Sequence, residues 1–157
     1  MLLRILVAFI VLPGFFACVI PPIIASYDPL RGSGYFLGIV FLTCGFIILL
    51  WCVRDFLVAG RGTLAPWDPP KHLVIIGLYR YCRNPMYVGV INMIAGWALY
   101  TGSPLIVAYC LFMATMFYLR VVYGEELILA RQFGKVWTDY VKTVPRWLPK
   151  LSCKFIC

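Results

Sequence analysis

The amino-acid sequence predicts an all-α integral membrane protein with about four transmembrane helices plus an amphipathic C-terminal helix at the cytoplasmic interface. Composition is the first observation: 63% of the 157 residues are hydrophobic and only 13% are charged, with a mean hydropathy of +0.92. A soluble domain is about 45–50% apolar even with glycine counted. The other two observations are four long apolar runs and the positive charge that collects between them. We therefore expect a single membrane domain over residues 1–157.

Four apolar runs approach the length of a membrane span. They cover about residues Ile5–Ser26, Tyr35–Val53, Met86–Tyr100 and Leu105–Tyr123. Crossing ~30 Å of hydrocarbon takes ~20 helical residues at ~1.5 Å each. The third run is short, so we expect it to begin inside the bilayer at Asn84-Pro85 or to tilt little.

The first run contains Pro13 and Pro21-Pro22. Each proline should kink a helix, because it removes a backbone donor and clashes with the preceding turn. A cleaved signal peptide is the competing interpretation of residues 1–20. The bulky pair Phe15-Phe16 does not suit a cleavage site, and the apolar run continues beyond it, so we favour a retained first helix.

Positive charge orients the predicted bundle. Basic residues outnumber acidic ones in segment 54–83 and in the tail after the fourth run, whereas the turns 27–34 and 101–104 carry no excess. Because positively charged loops stay in the cytoplasm, both termini and the central loop are expected inside. The same placement explains the net charge of +8 without a nucleic-acid partner, which would need one continuous basic patch.

The seven cysteines give no sign of a metal centre. The chain has a single histidine, His72, and no Cys-x-x-Cys pair. Cys153 and Cys157 do not form a prenylation box, because Lys154 interrupts the pattern. Disulfides are disfavoured in a cytoplasmic tail, and cysteines in apolar runs behave as small buried hydrophobes.

The loop 60–76 is the first candidate for chemistry. Its glycines and prolines break helix, yet Trp67 and the run Leu73–Ile76 are too apolar for a solvated linker. We interpret it as an ordered segment at the membrane interface, with backbone groups around His72 lining a pocket. An interfacial anchor with Trp67 in the headgroup belt is the alternative.

The stretch 77–89 is the second candidate. It places arginines, tyrosines and an Asn-Pro pair beside hydrocarbon, where charge is costly and marks a site by default. Pro85 suits the first turn of a helix, and Asn84 suits its N-cap, with a side chain that accepts from a free amide. Such a helix start also favours a bound carboxylate, which Arg80 and Arg83 could supplement.

The pair Glu125-Glu126, which follows Arg120 at the end of the fourth run, is the third candidate. Carboxylates are unfavourable at a helix C-terminus, so we expect a break near Gly124 and a new helix after it. Apolar residues recur at helical spacing over 125–141, which predicts an amphipathic interfacial helix. The carboxylates then either complement that helix's start or bind a ligand's hydroxyls or cation.

An ordered set of motifs runs through residues 60–150, about two-thirds of the chain. It consists of Gly77-x-Tyr79-x-x-x-Arg83-Asn84-Pro85-x-Tyr87-x-Gly89, Glu125-Glu126, Phe133-Gly134, Tyr140 and Val144-Pro145. As a set it resembles the isoprenylcysteine carboxyl methyltransferase family and the related bacterial phospholipid methyltransferases. The resemblance implies a membrane enzyme with two N-terminal transmembrane helices over 1–53 and a methyltransferase core over 54–157.

The resemblance also implies S-adenosyl-L-methionine as cofactor and a lipophilic methyl acceptor. Arg120 falls within one residue of the family's substrate-side arginine and is the expected catalytic residue. Matched by position, the family's cofactor-binding residues are Lys71, His72, Leu73, Val74, Tyr79, Asn84, Pro85, Met86, Tyr87 and Glu125, to which we add the adjacent Glu126.

The sequence departs from the family pattern at Asn84, where the eukaryotic members carry histidine. Asparagine keeps a hydrogen bond but cannot act as a proton-transfer base near neutral pH, which leaves His72 as the only histidine substitute. The short chain and Asn84 look more like the bacterial branch, so a bacterial inner membrane is the expected location.

Two other functions stay open at this stage. One is a nicotinamide-dependent reductase related to the sterol reductases, and the other is a non-catalytic membrane subunit that keeps the fold. The acceptor is equally open: a prenylated cysteine, a phospholipid amine and a small hydrophobic acid all fit the sequence.

Overall fold

The fold is described from a computed structural model, which covers residues 10–60 and 73–149, with side chains for 14–58 and 73–149. Every regular element in these ranges is helical and none is a strand, which confirms the all-α class for this part of the chain. A π-helical segment, Ile10–Val19, leads into α1, Ile20–Tyr27. The other elements are α2 Leu37–Asp55 with a π-helical turn Phe56–Gly60, a 3-10 turn Gly77–Arg80, α3 Pro85–Thr101, α4 Pro104–Arg120 with a π-helical turn Val121–Glu125, α5 Glu126–Phe133 and α6 Lys135–Thr143.

Two continuous helical runs in the described part of the chain are long and apolar enough to cross a membrane. They are Leu37–Val58 with 22 residues and Pro104–Phe133 with 30 residues. Helix α3 has 17 residues, which gives a length of about 25 Å. The total of four crossings therefore stays a prediction.

The predicted interruptions lie elsewhere than expected. Gly124 does not break the fourth helix: helical turns continue through it from α4 into α5. The predicted amphipathic helix is instead divided at Gly134, whose φ of 50° and ψ of −116° leave the helical region. Only glycine adopts such a conformation at little steric cost. In the first run, Pro21-Pro22 lie just after the π-helical segment Ile10–Val19, so the change from π-helix to α-helix falls beside these prolines.

Helices α2 and α3 pack with their backbones almost in contact. A Cβ added to Gly45 would lie 2.7 Å from the carbonyl oxygen of Gly89, and one added to Gly38 would lie 2.6 Å from that of Gly96. Small residues on both helices permit this approach, as is common where helices meet in membranes. The buried residues beside this contact, including Leu49 and Ile94, form the largest apolar cluster.

The buried carboxylate of Asp28 connects separate segments of the chain at one end of the helix bundle. Asp28 accepts hydrogen bonds from the Ser103 hydroxyl and from the backbone N–H groups of Leu30 (2.9 Å) and Leu105 (3.2 Å). Ser103 is the N-cap of α4 and accepts from Ile106 N at 3.3 Å. This end of α4 is therefore closed by interactions within the protein.

Candidate functional site

A cleft of about 80 Å³ lies near the C-terminal end of α4. Its lining residues are Phe56, Leu73, Val74, Tyr79, Arg83, Asn84, Glu125, Glu126, Leu129, Trp137 and Tyr140. Apolar and aromatic groups dominate this list, and the charged groups are two carboxylates and one guanidinium.

Asp55 supports the turn Gly77–Arg80, which carries Tyr79 at the wall of the cleft. It is fully buried, and its Oδ2 accepts from Leu78 N at 3.2 Å, while Oδ1 has no hydrogen-bond partner among the described residues. A Cβ on Gly77, whose φ is 53°, would overlap this carboxylate. The Gly77–Arg80 turn is thus built around Asp55. Nothing in the sequence indicates this role beyond a charged residue at the end of an apolar run.

Glu125 is held by two side chains on the cleft's α4 side. Its Oε1 accepts from the Tyr87 hydroxyl and from Arg120 Nε, the latter at 2.8 Å. Both contacts use the same oxygen, so neither engages Oε2. The Tyr87 ring is fixed in turn against Phe117, with ring centroids 4.5 Å apart. Glu125 is the last residue of the π-helical turn Val121–Glu125, and such turns occur often at functional sites.

Glu126 binds two arginines. Its Oε1 accepts from Arg83 Nη1 and from Arg146 Nε, and its Oε2 accepts from Arg146 Nη2, all at 2.8 Å. The exposed fractions of the Glu126 and Arg83 side chains are 17% and 9%. Two cations on one carboxylate leave this cluster with a net positive charge.

The residues after α6 form a strap, 144–147, that is tied to segment 82–84. Arg83 N donates to Pro145 O at 2.9 Å. Asn84 Nδ2 donates to Arg146 O at 3.1 Å. The prediction that the Asn84 side chain caps α3 is therefore wrong: Asn84 is at the N-cap position, but its side chain makes no cap hydrogen bond and is instead tied to the strap through Nδ2. The Tyr140 hydroxyl makes a further contact by donating to Tyr79 O at 2.7 Å.

Burial changes the acidity of two groups that line the cleft. It raises the pKa of the Tyr79 phenol well above its usual range, so this hydroxyl stays protonated. Burial also lowers the pKa of the Arg83 guanidinium, while Glu126 acts in the opposite direction. Neither group is arranged as a base that titrates near neutral pH.

The structure brings part of the predicted site together. Of the predicted cofactor-binding residues, Leu73, Val74, Tyr79, Asn84, Glu125 and Glu126 line the cleft, whereas Pro85 and Met86 do not. Pro85 is buried at the start of α3, and Met86 packs against the apolar clusters. Tyr87 and the predicted catalytic Arg120 reach the cleft through Glu125. The predictions for Lys71 and His72 lie outside the described residues.

Other residues reach the cleft without having been predicted as site residues. In the sequence, Trp137 and Tyr140 fit the apolar face of an amphipathic helix, and burial against the cleft explains the same spacing. The sequence predicts Arg83 only as a supplement to an anion site. Arg80, considered with it, is exposed and bonds Ile75 O at 3.4 Å. Within the described ranges, no three His, Cys, Asp or Glu side chains group to hold a metal ion.

Comparison with known proteins identifies the class of protein. The family model of phospholipid methyltransferases matches residues 33–136. This chain therefore belongs to the phospholipid methyltransferase family, in agreement with the motifs of residues 77–89 and 125–126.

Individual relatives add two kinds of protein to this picture. The nickel-cobalt-cadmium resistance protein NccN of Alcaligenes xylosoxydans xylosoxydans is 30% identical over 116 residues, which are 74% of this chain and 48% of the relative. The protein-S-isoprenylcysteine O-methyltransferase of Mus musculus is 37% identical over 78 residues, 49% of this chain and 27% of the relative. This chain thus spans about half the length of the first and about a quarter of the second. No solved structure matches it.

Proposed function

We propose that this protein is an S-adenosyl-L-methionine-dependent methyltransferase of the membrane, which transfers a methyl group to a lipophilic acceptor. The observation that carries the proposal is the cleft at the end of α4, where Tyr87 and Arg120 hold Glu125 beside apolar walls. Membership of the phospholipid methyltransferase family supports the reaction class.

The groups that line the cleft suit the chemistry of this cofactor. Tyr79, Trp137 and Tyr140 offer aromatic surface for a planar base. Glu125 offers a carboxylate oxygen for ribose hydroxyls or for a cationic group. Arg83 offers a guanidinium for a carboxylate. A molecule with an adenine, a ribose, a sulfonium and an amino-acid end finds a partner of matching chemistry for each part.

Alignment and exclusion of water are what the protein contributes to such a reaction. When bound, the cofactor would supply an electrophilic methyl group on a positively charged sulfur, and a carboxylate acceptor would need no strong base. Positioning of this kind contributes up to about 7–11 kcal/mol in favourable cases. Tyr87 and Arg120 fix Glu125, and hydrogen bonds tie the strap to segment 82–84. The exposed side chain of Arg120 then faces the approach of the acceptor's polar end.

Membrane placement follows from the same arrangement. We infer four crossings, with both termini and the cleft at the cytoplasmic side of a bacterial inner membrane. Basic residues near the cleft, such as Arg120 and Arg146, suit an anionic membrane surface there. A lipophilic acceptor would enter from the bilayer, and a soluble cofactor from the cytoplasm.

Calorimetric titration tests the cofactor half of this proposal. The full chain in detergent should bind S-adenosyl-L-methionine, and Glu125→Ala should weaken binding by about 10- to 100-fold, which is the usual loss for a hydrogen bond to a charged group. Asp139→Ala removes an exposed carboxylate of α6 outside the cleft and should leave the affinity unchanged. Binding of reduced nicotinamide cofactor in place of S-adenosyl-L-methionine would identify the reductase alternative, and binding of neither would favour a non-catalytic subunit.

A labelled-methyl assay tests the acceptor half. Membranes that contain the full chain are supplied with methyl-labelled cofactor, and lipid, protein and small-molecule fractions are counted separately. We expect label in a lipophilic fraction, with Glu125→Ala membranes as the background. Base-labile label indicates a carboxylate acceptor, since esters hydrolyse in base, and base-stable label indicates an amine.

A further inference from the structure

Arg83 and Arg146 share the Glu126 carboxylate but differ in which of their N–H donors have a partner. Arg146 gives both Nε and Nη2 to Glu126. Arg83 gives only Nη1, and its Nε is buried without a hydrogen-bond partner among the described residues. Of the two, Arg83 alone lines the cleft.

A buried, unpartnered guanidinium N–H is costly in a folded protein. An unsatisfied donor carries its desolvation cost without compensation, and the cost is larger on a charged group. The Arg83 side chain is 91% buried, since its exposed fraction is 9%, so it cannot turn to solvent. Trp137 further restricts it, because its ring centroid lies 5.9 Å from the guanidinium carbon. The side chain is therefore held at the cleft with its Nε–H unpartnered among the described residues.

Two further features make the surroundings of Arg83 favourable to an anion. The cluster of Arg83, Arg146 and Glu126 is positive overall. The N-terminus of α3 begins two residues later at Pro85, and the Asn84 side chain leaves it uncapped. Helix starts attract anions through their free N–H groups and dipole.

We propose that Arg83 is the anion anchor of the cleft and that its Nε–H binds the carboxylate at the amino-acid end of the cofactor. This inference rests on the proposed function and goes beyond it by assigning one ligand group to one donor. Glu126 then is not a cofactor ligand. Its role is to hold the Arg83 fork in place through Nη1 while Nε stays available.

The test compares two nucleosides that differ only in this carboxylate. Calorimetry of the full chain in detergent, with no acceptor present, gives the affinities for S-adenosyl-L-methionine and for its decarboxylated analogue. We expect the wild type to prefer the carboxylate form by about tenfold or more, as a charge-assisted hydrogen bond implies. Arg83→Lys keeps the positive charge for Glu126 but lacks the second donor of the fork, so the preference should fall to within about twofold of unity.

Arg146→Lys is the matched control, because it alters the other arginine on the same carboxylate and should keep the wild-type preference. Arg83→Gln, which removes the charge as well, replaces Arg83→Lys if that variant does not fold, and should also lose the preference. A wild type that binds both nucleosides equally, or an Arg83→Lys variant with the wild-type ratio, would overturn the assignment. A wild type that binds neither nucleoside would instead refute the proposed function.

Discussion

The two ends of α4 both hold buried or half-buried carboxylates, and they use them in opposite ways. At the N-terminal end, Asp28 receives three hydrogen bonds from its own chain, and the cap residue Ser103 is satisfied as well. At the C-terminal end, Glu125 receives two hydrogen bonds on one oxygen and borders a cleft. Charge at the edge of a membrane segment suggests a site, but here only the end that borders a cleft has the features of one.

Loss of Glu126 should give the largest effect, at the C-terminal end. Glu126→Leu leaves Arg83 and Arg146 without their shared carboxylate, and breaking such a buried pair costs about 3 kcal/mol. We expect a corresponding fall in the free energy of unfolding, measured by denaturant titration in detergent. Asp139→Leu is the comparator, because its ion pair with Lys142 is exposed and should contribute under about 1 kcal/mol. Equal losses in the two variants would contradict the structural role of the cluster.

The close contact between α2 and α3 should be nearly as sensitive to substitution. Gly45→Ala places a Cβ 2.7 Å from Gly89 O and 2.9 Å from Met93 N, so the helices must separate. Overpacking of this kind costs about 1–3 kcal/mol, which thermal unfolding in detergent would detect. Gly124→Ala is the matched glycine variant, since nothing lies within 4 Å of its added Cβ. We expect it to be neutral or slightly stabilising, and a destabilised Gly124→Ala would show that backbone strain, not packing, is measured.

A Tyr87 variant distinguishes the positioning of Glu125 from direct contact with a ligand. Tyr87→Phe removes one hydrogen bond and keeps the ring against Phe117, so affinity for S-adenosyl-L-methionine should fall about fivefold, or about 1 kcal/mol. Tyr109→Phe loses a comparable bond to Phe16 O, at 3.1 Å, away from the cleft. Calorimetry should find its affinity unchanged. If both tyrosine variants bind as the wild type does, Glu125 is not oriented by Tyr87.

The smallest effect is expected from pH, at the Asp28 end. The Ser103 hydroxyl, with the N–H groups of Leu30 and Leu105, holds the pKa of Asp28 below its usual value of 3.8. A carboxylate with a lowered folded-state pKa stabilises the protein at neutral pH, and this contribution is lost as the pH falls below about 4 towards the folded value. The unfolding midpoint of the wild type, followed from pH 7 to pH 3, should therefore approach that of Asp28→Asn. A constant difference between the two across this range would exclude the linkage.

Much of the architecture could be predicted because the membrane imposes it. Apolar run length placed α2, α3 and α4 within two residues of their observed α-helical bounds, apart from the C-terminal limit of α4, which passes into helical turns instead of ending. The break expected at Gly124 was wrong because helical turns continue through this glycine in the π-helical turn Val121–Glu125. Gly134 does interrupt the helix, and the residues beside it in the sequence do not distinguish it from Gly124.

The candidate site was predicted in its motifs but not in its bonds. Glu125 and Tyr87 were both named, yet their hydrogen bond spans 38 positions of sequence. Asn84 is of a residue type that often caps helices, but its side-chain amide donates to the strap, which comes from a distant part of the sequence. Asp55 was missed because its partner, Leu78 N, is contributed by a distant turn.

By itself, the sequence determined the helical class, the apolar segments and the family motifs, because hydrophobicity, charge and helical periodicity act over neighbouring residues. Only the tertiary structure decided which carboxylates are satisfied. Asp28, Glu125 and Glu126 are alike as residue types, and their roles depend on donors that the fold brings from other segments. That is why one end of α4 is a structural joint and the other is a candidate site.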